Sequence, residues 1–138
     1  MQDDYLDLAQ LDNIPEQVIL EDGTEHEVQI TFAELGASDL DRKTAGQKYL
    51  RVLYQATDVP DSKPFSDVFM LPFSGLDKET FNRRGRNLKT FFQCFDFEYQ
   101  GWNIFEDTQD LVGLEGELVV RVEDDDMYGE QNQVKKYL

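Results

Sequence analysis

Asp77-Lys78-Glu79-Thr80-Phe81-Asn82-Arg83-Arg84-Gly85-Arg86-Asn87-Leu88-Lys89-Thr90-Phe91-Phe92-Gln93-Cys94-Phe95-Asp96-Phe97 is the one long stretch of this chain that reads with a helical period. At about 100° per residue, Phe81, Leu88, Phe92 and Phe95 gather on one side with Phe91 at the edge, and Arg83, Arg86 and Lys89 gather opposite. Asp77 and Glu79 sit where a helix N-terminus welcomes negative charge. Gly85 weakens a helix by about 1 kcal/mol relative to Ala, whereas each buried Phe contributes roughly 1.5 to 3 kcal/mol. The balance predicts one helix over 77–97.

On both sides of it the period falls to two. After the turn signal Asp22-Gly23, Val28, Ile30 and Phe32 alternate with Glu27, Gln29 and Thr31, which predicts a half-buried first strand. Residues 36–46 are a loop containing Arg42 and Lys43. A second strand over 47–57 sets Leu50, Val52 and Tyr54 on one face and Tyr49, Arg51, Leu53 and Gln55 on the other. A connection bounded by Pro60 and Pro64 leads to a third strand over 65–73, closed by Pro72, with Val68 and Met70 expected inward and Phe69 and Leu71 on the other face. Beyond the helix, residues 98–110 form a long connection with Tyr99, Trp102 and Phe105. A fourth strand over 117–123 follows, with Leu118, Val120 and Val122 inward and Arg121 outward. The turn 124–131 then leads into a last strand ending Val134-Lys135-Lys136-Tyr137-Leu138. Five strands with one helix between the third and fourth predict an all-β fold with one helix, the five-stranded Greek-key barrel of the OB type.

Composition bounds the rest. The 138 residues suit one domain, and 40% hydrophobic with 30% charged residues suits a globular one. Net charge is −16, from 29 acidic against 13 basic residues, which excludes a grip on nucleic acid by global charge and requires a local basic patch. Cys94 is the only cysteine, so no internal disulfide exists and a reducing intracellular setting is expected. The start of the chain lacks the features of a signal peptide and no run is apolar enough to span a membrane, so neither secretion nor membrane insertion is expected. Residues 1–22 carry Asp3, Asp4, Asp7, Asp12, Glu16, Glu21 and Asp22 with no Lys or Arg. They read as an acidic N-terminal arm, with a helical turn near Tyr5 to Leu8, ahead of a domain over 23–138.

Four constellations could carry chemistry. Tyr49 and Arg51 share a face, and with Phe69, Arg42 and Lys43 they offer rings for stacking and cations for a backbone. Lys135 and Tyr137 share one face of the last strand while Lys136 takes the other, and Tyr128 lies in the adjoining turn with Gln131 and Asn132 nearby. Arg83, Arg84, Arg86 and Lys89 are the densest positive group, suited either to solvent or to an acidic neighbour. Asp124-Asp125-Asp126 lacks the ligand spacing of a calcium loop, and His26 has no nucleophile pattern around it, so neither a metal, a cofactor nor an enzyme activity is expected.

Glu21-Asp22-Gly23-Thr24, Lys48-Tyr49-Leu50-Arg51-Val52, Asn82-Arg83-Arg84 with Leu88-Lys89, Asp110-Leu111-Val112-Gly113 and Tyr128-Gly129-Glu130-Gln131-Asn132-Gln133-Val134-Lys135-Lys136-Tyr137 together resemble the phage-encoded OB-fold single-stranded-DNA-binding proteins of replication and recombination modules. The resemblance covers roughly 20–138, and its closing block is the most specific part. It implies binding of exposed single strands with little sequence preference, in the cytoplasm of an infected bacterial host. Replication or recombination proteins and a second copy of the chain are further candidate partners. Stacking would fall to Tyr49, Phe69, Trp102, Tyr128 and Tyr137, and phosphate contacts to Arg42, Lys43, Lys48, Arg51, Lys135 and Lys136. The competing expectation is a non-catalytic protein-interaction module on the same barrel.

Overall fold

The computed structural model describes residues 5–138. Asp3 and Asp4 of the acidic arm lie outside the described residues. The chain folds as β1 (Glu25–Ala37), β2 (Lys48–Ala56), β3 (Phe65–Met70), α1 (Lys78–Cys94), β4 (Glu115–Asp125) and β5 (Gly129–Tyr137). All neighbouring strands are antiparallel, in the order β3-β2-β1-β4-β5. The protein is thus mostly β, a single five-stranded sheet with one helix. A closed barrel was expected, but no ladder joins β3 to β5 among the described residues. Side chains meet there instead: the Tyr137 hydroxyl of β5 donates to the Asp67 carboxylate of β3 at 2.7 Å and lies 2.7 Å from the Tyr54 hydroxyl of β2.

The alternation of β2 appears as expected, with Leu50, Val52, Tyr54 and Ala56 fully buried and Tyr49, Arg51, Leu53 and Gln55 half-buried on the outer face. Two phases differ. In β1 the register shifts between Ile30 and Phe32, so the extra residue of a bulge turns Phe32 outward and buries Ala33 in its place. In β3, Phe65 and Phe69 point inward, whereas Val68 is exposed and Met70 faces outward opposite Tyr49. Val68 and Met70 are therefore not core residues. Asp67 faces inward between the two Phe residues, and this inward carboxylate breaks the apolar alternation that would have revealed the phase.

Helix α1 begins at the Asp77 cap, whose carboxylate accepts the Thr80 N–H at 3.0 Å. It ends three residues before the expected Phe97. Phe97 N–H reaches Phe92 C=O at 2.9 Å and Asp96 N–H reaches Gln93 C=O at 3.2 Å, the two bonds of a Schellman stop. Asp96 takes the left-handed conformation that a stop requires, with φ 50°. Packing of Phe92 on Phe97, centroids 5.7 Å apart, completes it. Leu88, Phe91, Phe92 and Phe95 are buried, Phe91 and Phe95 against rings of the sheet and Phe92 against Phe97, Tyr99 and Trp102, while Phe81, expected on the same side, is exposed.

Tyr54 stacks on Phe95 at 5.7 Å and Phe69 tilts on Phe91 at 4.8 Å, so the core between sheet and helix is largely aromatic. Within the expected arm, residues 8–13 form a short 3-10 helix with no buried residue. The chain joins the sheet well before residue 23: Val18 bridges Ser62, and buried Leu20 exchanges two hydrogen bonds with the Asn132 side chain, at 2.8 and 2.9 Å.

Candidate nucleic-acid interface

The loop between β1 and β2 is built from successive turns: Arg42 N–H bonds Asp39 C=O, Ala45 N–H bonds Arg42 C=O, and Gln47 N–H bonds Thr44 C=O. These turns bring Arg42 beside the outer face of β2 and β3. A groove of about 380 Å³ runs there, lined by Arg42, Tyr49, Arg51, Val68 and Met70 together with Ser38 and Asp39. Tyr49 pairs across the ladder with Gly36. A Cβ at Gly36 would lie 2.5 Å from the Tyr49 ring, so the missing side chain is what lets the ring lie down over β1. The tip of the Tyr49 ring thus rests against Gly36, and the ring lines the groove together with Arg42, Arg51 and Asp39. Arg51 reaches Glu34 at 3.5 Å, but both side chains are over a third exposed, so the pair holds Arg51 only loosely.

A second groove, of about 500 Å³, continues from Arg51 and Leu53 past Lys63 to Tyr128 and Gln131. Tyr128 is positioned by the Asp124 to Asp126 run: the Asp125 carboxylate accepts the N–H groups of Met127 and Tyr128 at 2.8 and 3.1 Å. That run is a turn organiser, and no group of three or more potential metal ligands occurs among the described residues. Carboxylates of Glu34, Asp39 and Glu130 lie close to the cations of the two grooves, so the positive charge there is largely compensated beyond contact distance.

Of the residues expected at the interface, Arg42, Tyr49, Arg51 and Tyr128 are brought together. Lys43 is exposed on the same loop but outside both grooves, and Lys48 instead borders an apolar groove lined by Leu71, Pro72, Phe73 and Phe105. Lys135 and Lys136 are exposed away from the two grooves. A register shift where Val119 pairs with Lys136 and Val120 with Val134 leaves Lys135 in a bulge, so it does not share the face of Tyr137. Three aromatic rings point elsewhere. Phe69 is 7% exposed and packs on Phe91, so it is core and not a platform. Trp102 packs edge-on against Phe92 and Phe97 and donates to Asp110 at 3.0 Å. Tyr137 meets Phe69, Phe91 and Phe95 inside the fold. Lys63, Leu53, Val68 and Met70 also line the grooves and were not among the expected site residues; the alternation of β2 places Leu53 on the outer face with Tyr49 and Arg51, whereas Val68 and Met70 were expected inward.

Two other groups with chemical character belong to the scaffold. His26 is held between the Thr24 hydroxyl at 2.7 Å and the Asp58 carboxylate at 3.0 Å. Cys94 donates to Glu117 C=O at 3.2 Å, and burial pushes its thiol above the ordinary value, away from the reactive thiolate.

Burial also raises the carboxyl of Asp67, against the pull of the Tyr137 hydroxyl, the Val68 N–H and Arg121. Folded protein then holds the Asp67 proton more tightly than the unfolded chain does. Its contribution to stability is complete below the ordinary value of 3.8 and is lost as pH rises through the raised one. The urea midpoint of the native protein should fall over that window relative to that of Asp67→Asn; parallel pH profiles for the two proteins would contradict it. No family model matches this chain, and no curated protein matches it either.

Proposed function

We propose that this protein binds single-stranded DNA with little sequence preference, without catalysing a reaction, as the phage-encoded OB-fold proteins it resembles do in replication and recombination. The carrying observation is the groove in which Tyr49 and Arg51 on the outer face of β2 meet Arg42 of the β1–β2 loop, with the tip of the Tyr49 ring resting against Gly36. Stacking on such a ring is worth roughly 1 to 3 kcal/mol per base for any base, while Arg forks take the phosphates. The strand order supports the OB reading: β1 is central and the two edge strands are drawn together by Tyr137. OB barrels are partly open, and they bind on the face of strands two and three and the loops between strands one and two and between four and five. Arg42 and Tyr128 sit in those two loops here.

One observation favours a second reading, a protein-interaction module: the apolar groove with exposed Phe73 and Phe105, on a chain of net charge −16. Fluorescence anisotropy separates the two. Labelled oligo-dT should bind at low salt, release as salt rises, and outcompete duplex DNA; an unchanged anisotropy at low salt would overturn the DNA reading in favour of the module.

A further inference from the structure

The front groove does not stop at the edge of the sheet. Val68 and Met70 line it, and the same two residues line a cleft of about 410 Å³ between β3 and α1. The groove and the cleft therefore adjoin across the β3 edge, with Val68 and Met70 between them. Arg83, Asn87 and Thr90 share one side of α1, four and three residues apart, and form the helical wall of the cleft with Arg84. Arg84 is partly committed, since its Nη1 donates to Leu71 C=O at 3.2 Å. Arg83 is exposed, and Arg86, also exposed, follows one turn further along the helix, outside the residues that line the cleft.

The charge of this cleft differs from that of the front groove. Between Glu79 and Asp96 the helix carries Arg83, Arg84, Arg86 and Lys89 and no acidic residue. The one carboxylate lining the cleft, Asp67, is engaged by the Tyr137 hydroxyl at 2.7 Å and the Val68 N–H at 2.8 Å. In a protein of net charge −16, a cleft with two guanidinium groups and an occupied carboxylate suits an anionic chain. Asn87 and Thr90 add neutral hydrogen-bonding groups for phosphate oxygens or base edges.

We infer that the cleft between β3 and α1 is a second phosphodiester-binding segment, which takes the continuation of a single strand whose first bases occupy the Tyr49 groove. The inference rests on the single-strand reading above. It assigns Arg83 and Arg86 to phosphate contact and makes the occupied length of strand depend on the helix.

The test uses the full chain and Arg83→Gln/Arg86→Gln, with labelled oligo-dT of about 5 and about 15 nucleotides, within the range one OB fold covers. Both arginines are exposed, so thermal melting of the variant should match the native protein. Expected is unaltered affinity for the short oligonucleotide and about tenfold weaker binding of the long one. The salt slope for the long strand should fall by about 1.4, at about 0.7 per lost single-strand phosphate contact. If the native protein binds both lengths and the variant equals it on the long one, the inference is overturned and the helix face is left to an acidic protein partner. Equal weakening on both lengths also overturns it, because α1 would then belong to the primary groove. If the native protein binds neither length, the single-strand reading fails and the second segment fails with it.

Discussion

Tyr49→Ala/Arg51→Ala should bind oligo-dT about 10- to 100-fold more weakly than the native protein, which corresponds to losing one stacked base and one phosphate contact. Tyr49 is the ring that lines the first groove, and Arg51 is the residue common to the two grooves, so the pair sits where the proposed path is continuous. Their side chains lie on the outer face of β2, away from Leu50, Val52 and Tyr54, and removing them leaves the core intact. The melting temperature should therefore move little, while the salt slope shrinks by about 0.7. Tyr49→Phe keeps the ring and should restore most of the affinity when Arg51 is present. Retained affinity in the double Ala variant would remove the groove from the proposed site.

Phe91→Ala should have the largest effect on stability, about 3 to 5 kcal/mol. Phe91 is fully buried and touches Phe69, Phe92, Phe95 and Tyr137, joining the helix to β3 and β5 in one cluster. A domain of this size is stable by only about 5 to 15 kcal/mol, so the variant would lose a large part of its margin. Urea unfolding followed by circular dichroism should show a much lower midpoint at an unaltered slope. A loss below about 1 kcal/mol would mean that the cluster collapses around the cavity and that α1 is held mainly by other contacts.

The elements whose cause is local were legible in the sequence. The alternation of β2 survives because each of Leu50, Val52, Tyr54 and Ala56 is buried and none of their intervening neighbours is. The same alternation put Tyr49 and Arg51 on one outer face. Phases that depend on distant partners were not legible. Asp67 looks like an outward residue until Tyr137, 70 positions later, supplies its hydrogen bond. The β1 bulge is invisible because Phe32 continues the apolar pattern that the backbone itself interrupts. Nor does the sequence distinguish a ring for stacking bases from a ring for filling a core: Phe69, Trp102 and Tyr137 are core rings, and only the geometry of α1 and its Schellman stop says so.

The seam between β3 and β5 sets the order in which this protein comes together and comes apart. The β1–β2 and β4–β5 pairings each close a short stretch of chain, whereas the tyrosine latch joins residues 70 and 83 positions apart and, among the described residues, has no ladder beneath it. Closure entropy alone orders assembly as the two hairpins first and the latch last, and opening of the latch would reverse that last step. Amide exchange along the outer edge of β3 reports that opening, and it lies directly beside the path assigned to the strand.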